Sequence, residues 1–267
     1  MPNKPIVQHV ITKNLLKQFA DSNGFVSVEY KTSGQKRRRH INAEGFIPDF
    51  IILTDDAIEA EAKWNEIEKN MKTVMDHIAD STFYDYINDV NTLKRFVALH
   101  LVRSLRMRQL IPSLAKQSTE DTRAWLNSRK DITSTQKAEM QPLFEQELPQ
   151  QANNGSILRR ALFQLLEEIG SDFIKNHDVQ IGIAETSDLI IGDNPVITFD
   201  NDKMEIDAPL RQTDVIFMPL SPKVVVALPS KNRNLQEFRT ISSTGVKKLN
   251  NLSRSAAYER IYLGPAQ

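Results

Sequence analysis

The hydrophobic pattern of this 267-residue chain changes its period near residue 178, and that change constrains the fold more than any other feature. Before it, apolar residues recur at the spacing of amphipathic helices, most clearly over 157–176. After it come short β-branched runs separated by Asp, Asn, Pro and Ser, a pattern typical of an antiparallel sheet. The sequence therefore predicts an α+β fold in one domain, 1–267, with a helical middle over about 55–176 and a strand-rich part over about 178–267.

Further elements follow from local signals. A long helix is expected to begin at Asp56, and its apolar stripe consists of Trp64, Ile67, Met71, Val74 and Ile78. Shorter helical patterns cover 9–20, 83–110, 120–128, 134–146 and 235–252. Pro112 is expected to end the helix over 83–110. The alternating run 24–31 and the basic run behind it predict an N-terminal β-hairpin that is a candidate to join the C-terminal sheet, and a last strand is expected at 259–263.

Composition excludes several classes of protein. The chain has no cysteine, which rules out disulfides, thiolate nucleophiles and cysteine-bound zinc and fits a cytoplasmic location. Its 34 basic and 34 acidic residues cancel, so nucleic acid could bind only through local patches. No apolar run approaches the length of a signal peptide or a membrane span, so no membrane association is expected. We also expect neither haem nor flavin.

No established catalytic motif is present. The sequence lacks a phosphate-binding glycine loop, HExxH and Gly-x-Ser-x-Gly, and its nine glycines supply no dinucleotide-binding fingerprint. Candidate sites must therefore come from local groups of polar residues, each of which also has an ordinary structural explanation.

Two groups of cations have this double interpretation. The run Lys36–His40 could contact phosphates, although a solvated hairpin tip is the favoured explanation. Arg103, Arg106 and Arg108 lie close together near the end of a predicted helix, with His100 one turn earlier. An arginine fork suits carboxylate or phosphate binding, and a salt bridge to the preceding acidic helix is the structural alternative.

The acidic residues of the first long helix and the polar residues between the strand runs also have both a functional and a structural interpretation. Glu61 and Glu68 are seven residues apart and flank one shoulder of the apolar stripe, where paired carboxylates can bind a divalent cation or transfer protons. A surface ion pair such as Glu68–Lys72 is the alternative. The segment Gly192–Pro195 lies between two apolar runs and is either a plain turn or a polar site at the end of buried strands.

Six separated segments, in order, resemble the bacterial domain-of-unknown-function family 4238. The segment from His9 to Ala20 resembles the family's opening element, and Ala60–Glu61 with Ile67–Glu68 resembles its first long helix. Later segments resemble its RxPxxR, SDNPV, FPLSP and LN…A elements, at 103–108, 192–196, 218–222 and 249–257. Thr12, Lys17, Leu105 and Gly192 depart from the family pattern.

The resemblance implies a shared pocket between the helical middle and the sheet. In it His9, Glu68 and Asp193 would be catalytic, and Arg103, Arg108 and Asn194 would bind substrate. Glu61, Glu68 and Asp193 would hold a divalent metal, Mg²⁺ or Mn²⁺, if the reaction uses one.

Three functions compete for such a pocket. The first is a hydrolase acting on phosphodiesters, a metal-dependent nuclease that could serve as a toxin or phage-defence effector. The second is a nucleotide-directed glycohydrolase or transferase. The third is a non-catalytic protein in which the polar set fixes the fold and residues 120–150 bind a protein partner.

Overall fold

The computed structural model describes residues 7–48, 62, 64–142, 146, 156–230 and 237–265. In these ranges the helices are α1 (Lys13–Gln18), α2 (Met71–Ala79), α3 (Ile87–Val102), α4 (Leu105–Ser128), α5 (Ser134–Pro142), α6 (Ser156–Asn176) and α7 (Ser243–Ala256). The strands are β1 (Val7–His9), β2 (Phe25–Tyr30), β3 (Lys36–His40), β4 (Phe46–Pro48), β5 (Gln180–Ala184), β6 (Ile191–Gly192), β7 (Ile197–Asp200), β8 (Glu205–Ile206), β9 (Val215–Pro219), β10 (Val224–Pro229), β11 (Glu237–Ile241) and β12 (Arg260–Leu263). The α+β class, the helical middle, the C-terminal sheet and its closing helix are confirmed.

The strands form three sheets. A six-stranded mixed sheet has the order β11-β5-β10-β9-β7-β8, and only its β11–β5 pairing is parallel among the described strands. A four-stranded sheet, β3-β2-β12-β6, joins the N-terminal hairpin to the last strand of the chain. Strands β1 and β4 form a short pair. The N-terminal hairpin and the strand at 260–263 therefore lie in one sheet.

One hydrophobic cluster connects the helical and strand-rich parts. It extends from Val10 near the N-terminus to Tyr262 in β12 and includes buried residues of α2, α3, α6 and both larger sheets. The predicted stripe of the first long helix is part of it, because Trp64, Met71, Val74 and Ile78 are all buried. Burial of this stripe packs α2 against α3 within the shared core.

Several predicted boundaries are wrong. The helix expected from residue 9 begins at Lys13, because Val7–His9 pairs with β4 and the Thr12 hydroxyl caps α1 by accepting the Leu15 N–H at 3.0 Å. The first long helix turns at residues 69–70 before α2, and its expected start at Asp56 lies outside the described residues. Residues 237–241 form strand β11 instead of the start of the last helix.

The helix expected over 83–110 is two helices. It ends at Val102, and α4 begins after Ser104, whose hydroxyl accepts the Met107 N–H at 3.3 Å. The helix then continues past Pro112 to Ser128, so the expected end at Pro112 is wrong. An internal proline removes one hydrogen bond and bends a helix without having to end it. No helix of the described ranges is long and apolar enough to cross a membrane.

Candidate functional site

The break between α3 and α4 buries an arginine inside the protein. Arg103 follows the last residue of α3, and its backbone N–H donates to the Leu99 carbonyl at 2.8 Å. Ser104 fixes the break, since its hydroxyl both caps α4 and donates to the Leu101 carbonyl at 2.7 Å. The Arg103 side chain is only 1% exposed, and a fixed charge at this depth requires partners.

Glu68 and Trp64 are two of those partners. Arg103 Nη2 donates to Glu68 Oε1 at 3.1 Å, and the guanidinium carbon lies 4.8 Å from the centre of the Trp64 ring. The salt bridge that we weighed as the structural alternative for Arg103 is therefore present, with Glu68 as its acid. Burial raises the pKa of the Glu68 carboxyl although the Arg103 charge acts in the opposite direction. We call Arg103, Glu68 and Trp64 the Arg103 cluster.

Two uncharged imidazoles lie next to this cluster. His100 is fully buried: its Nδ1 lies 3.0 Å from the Phe96 carbonyl, and its Nε2 accepts the Thr12 N–H at 3.4 Å. Burial and the charge of Arg103 lower the pKa of His100 to about 3. Burial, Lys13 and Arg103 lower the pKa of His9 to about 4, and its buried Nε2 has no hydrogen-bond partner among the described residues. Both rings thus sense the charge of Arg103.

We expect the stability of the protein to fall as the pH drops below about 6.5, with His100 as one main cause. The folded-state pKa of about 3 is below the ordinary value of 6.5, so the unfolded state binds more protons between these values and acid favours unfolding. In His100→Gln the slope of unfolding free energy against pH should decrease by roughly 1 kcal/mol per pH unit below pH 6. Urea unfolding at several pH values measures this slope. Between pH 7.5 and 9 the unfolding free energies of the wild type and of His100→Gln should change in parallel with pH. If they also change in parallel below pH 6, the prediction is contradicted.

A cleft opens beside the Arg103 cluster. It has a volume of about 840 Å³, lies between α1, α2 and the C-terminal sheet, and includes Glu68 in its wall. Its apolar lining includes Leu15, Met71, Met75, Ile78, Phe96, Ile183, Leu220, Val224 and Phe238. Three lysines, Lys17, Lys69 and Lys72, and one further acid, Asp76, also line it and are exposed. This size and lining match sites that bind small molecules.

Asp193 has a different environment. The residue is 5% exposed, and its carboxylate accepts backbone N–H groups from Tyr258 at 2.7 Å, Glu259 at 2.8 Å and Arg260 at 3.0 Å. Burial raises the pKa of Asp193, while the three amide donors act to lower it. These bonds tie the end of β6 to the connection between α7 and β12, which is a structural task.

Asn194 belongs to a second polar group on the strand side. Its Nδ2 donates to Asp207 Oδ1 at 3.3 Å, and Arg106 Nη1 donates to the same Asp207 oxygen at 3.3 Å and to the Thr198 hydroxyl at 3.2 Å. Arg106 Nη2 also donates to the Asp207 carbonyl. We call Asn194, Asp207, Arg106 and Thr198 the Asp207 cluster. Burial raises the pKa of the Asp207 carboxyl, with Arg106 acting against it.

Four of the predicted site residues therefore lie in two groups, which the break between α3 and α4 connects, whereas Asp193 lies in neither group. His9, Glu68 and Arg103 belong to the first group and Asn194 to the second, and Arg103 and Arg106 stand three residues apart at the α3–α4 break. Arg108 is half-buried in the first turn of α4, where its N–H donates to the Ser104 carbonyl at 3.1 Å. Glu61 lies outside the described residues. That His9, Glu68 and Asp193 act together in catalysis stays a prediction.

Sequence reasoning missed Asp207, and it missed that His9 and His100 are kept neutral. Asp207 follows a two-residue strand in an acidic, irregular stretch, so no periodic pattern marks it. The one available signal is the proximity of Arg106 to Arg103, because a second partly buried arginine needs an acid of its own.

The expected metal and protein-partner sites stay predictions. Within the described ranges, no three His, Asp or Glu side chains are grouped as ligands of a metal ion would be. Of the segment 120–150, the structure describes the end of α4, all of α5 and residue 146, and Trp125 on α4 is 49% exposed.

The basic run forms β3, an exposed edge strand. Its cations have acidic or aromatic neighbours: Arg38 contacts Asp21 at 2.6 Å and Phe25, and Arg39 contacts Glu44 at 2.9 Å. Lysine and arginine on an edge strand also discourage pairing with other chains. Phosphate binding by this strand stays a prediction.

Comparison with known proteins agrees with the resemblance read from the sequence. A family model described as "Protein of unknown function (DUF4238)" matches residues 7–267. No curated protein and no solved structure matches the chain.

Proposed function

Because the chain belongs to the DUF4238 family, whose description carries no activity, we propose its function from its own geometry: a hydrolase that binds a nucleotide in the cleft beside the Arg103 cluster. Glu68 would be its general acid and base. The reaction class is hydrolysis of the bond between ribose and base.

The environment of Glu68 is the observation that carries the proposal. Its side chain is 12% exposed, one oxygen is held by the buried Arg103, and the residue lines the cleft. Burial raises the pKa of this carboxyl, which favours a group that can both give and accept a proton. A carboxyl fixed on one side and open to a cleft on the other has the placement that an acid–base catalyst needs.

The lining of the cleft indicates the class of ligand. Its apolar wall, with Phe96, Phe238 and two methionines, offers a surface on which a planar base can pack. Lys17, Lys69 and Lys72 exceed the two acids of the lining by one charge, so a phosphate is favoured over a cation there. A nucleotide matches both features, because its planar base can pack on the apolar wall and its phosphate can bind the lysines.

The proposed step balances with water as the only co-reactant. Glu68 in its protonated form gives its proton to the departing base while the bond between ribose and base breaks. Water adds to the ribose carbon, and the proton it releases returns to the Glu68 carboxylate. Arg103 would hold the carboxylate in position through both halves of the step.

A metal-dependent nuclease built on Glu61, Glu68 and Asp193 has less support. The Asp193 oxygens already accept three backbone N–H groups, and Glu68 is bound to Arg103. With Mg²⁺ or Mn²⁺ bound, such a site would supply Lewis-acid activation of water, but the described ranges contain no group of three His, Asp or Glu side chains placed to bind a metal ion.

A thermal-shift experiment tests the proposal first. AMP, ATP and NAD⁺ at about one hundred times their dissociation constants should each stabilise the protein by about 2.7 kcal/mol, a rise in Tm of roughly 5–10 °C. Glu68→Gln keeps a hydrogen-bonding side chain beside Arg103, so it should keep this shift while release of free base falls by about 10²–10⁴-fold. Asp80→Asn removes an exposed acid at the end of α2 that does not line the cleft, and should change neither readout by more than about twofold.

Two outcomes would overturn the proposal. If Mg²⁺ or Mn²⁺ shifts the Tm and nucleotides do not, the nuclease hypothesis replaces it. If neither nucleotides nor metals shift the Tm, the cleft does not bind this class of ligand, and the non-catalytic hypothesis is favoured.

A further inference from the structure

The Asp207 cluster contains a buried hydrogen-bond acceptor that no described protein group occupies. Asn194 is 1% exposed, its Nδ2 donates to Asp207, and its Oδ1 is buried without a partner among the described residues. The carboxylate of Asp207 accepts only, so the amide nitrogen must face it and the orientation of the Asn194 side chain follows. An unfilled acceptor at this depth costs free energy that a ligand with an O–H or N–H group would recover.

Unused donors lie close to this acceptor. Arg106 has five N–H donors and gives three hydrogen bonds, to Thr198 and twice to Asp207, which leaves two within the described part of the chain. The Tyr258 side chain is half-buried and near enough to sense the charges of Asp207, Arg106 and Asp193. The cluster thus combines a free acceptor, a carboxylate and free donors.

The cluster is open to solvent on one side. The side chains of Arg106 and Asp207 are 20% and 29% exposed, whereas Asn194 lies behind them. Asp207 is held in the left-handed region, at φ 58°, by hydrogen bonds to both its side chain and its carbonyl. A residue without glycine's freedom keeps this backbone conformation only when such contacts hold it.

From this arrangement we propose that the Asp207 cluster binds the vicinal hydroxyls of a sugar. A hydroxyl both donates and accepts, so one can donate to Asp207 and accept from Arg106 on the exposed side of the cluster. Where these two side chains move apart, its neighbour can donate to the buried Asn194 Oδ1. The positive charge of Arg106 is balanced by Asp207, with the buried Asp193 nearby, so a phosphate finds no net attraction here. The neutral, hydroxylated part of a ligand fits, and this inference uses none of the residues of the proposed cleft.

Saturation-transfer NMR with methyl β-D-ribofuranoside is the direct test, with methyl 2-deoxy-β-D-ribofuranoside as the matched probe. We expect the riboside to bind with a dissociation constant on the order of 1–10 mM, as suits so small a ligand, and the deoxy probe at least about tenfold more weakly. Asn194→Leu, which removes the buried acceptor at similar volume, should abolish the riboside signal. Asp207→Asn should weaken it about tenfold and is the second variant if Asn194→Leu does not fold. Asp202→Asn, an exposed acid in the same hairpin, should leave it unchanged.

Three results would overturn the inference. The first is the absence of a signal from either probe up to about 50 mM, which is several times the expected constant. The second is equal binding of both probes. The third is riboside binding of unchanged affinity in the folded Asp207→Asn variant, because the riboside would then bind elsewhere and the acceptor would serve only a bound water.

Discussion

Asp193→Ala should destabilise the protein by about 3 kcal/mol and lower its Tm by roughly 6–12 °C. The substitution leaves the backbone N–H groups of Tyr258, Glu259 and Arg260 without the carboxylate that accepts all three. A buried donor without an acceptor costs about 1–3 kcal/mol, and water can reach part of this connection because Glu259 is exposed. Urea unfolding followed by far-ultraviolet circular dichroism measures the loss.

The matched control is Asp188→Ala. Asp188 also lies near the end of a strand run but forms a half-exposed ion pair with Lys223 at 2.8 Å, so its removal should cost less than about 1 kcal/mol. Should Asp193→Ala keep the stability of the wild type while an enzymatic activity disappears, Asp193 would be a catalytic residue and its structural task would be secondary. Equal losses for the two variants would also contradict the assignment.

The fold was predictable from sequence wherever one face of an element is buried. The stripe of α2, the alternation of β2 and the β-branched runs of the large sheet each repeat with the period of their element. Strand β11 was not predicted, because its residues are exposed or only half-buried and its sequence therefore lacks the apolar alternation of its neighbours. Its pairing with β5 is decided by backbone hydrogen bonds, which leave little trace in side-chain type.

The site was only partly predictable, for a different reason. Each polar residue could be noticed, but its partner is remote in the chain: Arg103 pairs with Glu68 and Asn194 with Asp207 through contacts that no spacing encodes. The α3–α4 break also depends on one serine hydroxyl, which a helical pattern across 83–110 conceals. Family resemblance supplied the order of the polar residues, whereas which acid faces which arginine required three-dimensional contacts.

Arg103→Met should destabilise the protein by about 3–5 kcal/mol. Methionine fills a similar volume beside Trp64 but leaves the nearly buried Glu68 carboxylate without its cation. Removing one partner of a buried ion pair is costly because the remaining charge is desolvated and uncompensated. The fluorescence of the two tryptophans, Trp64 and Trp125, reports urea unfolding, and Trp64 also reports the loss of the stacked guanidinium.

A double-mutant cycle distinguishes this explanation from loss of packing. When Glu68→Met is added to Arg103→Met, stability should recover by at least about 2 kcal/mol, since no unpaired charge is left. A double variant as unstable as the sum of the two single variants would show that the side-chain volume of Arg103 matters and its pairing does not.

Arg103→Met also tests whether His9 and His100 both lie close enough to Arg103 to sense its charge. The guanidinium charge lowers the pKa of both imidazoles, so in Arg103→Met both should accept a proton at higher pH than in the wild type. Histidine ring resonances in an NMR titration give each value separately, and His40 on β3 provides a histidine remote from the cluster in the same spectra. If the pKa of His100 rises and that of His9 does not, then His9 on β1 does not sense the charge of Arg103. Since Glu68 lines the cleft, that result would confine the catalytic hypothesis to Glu68.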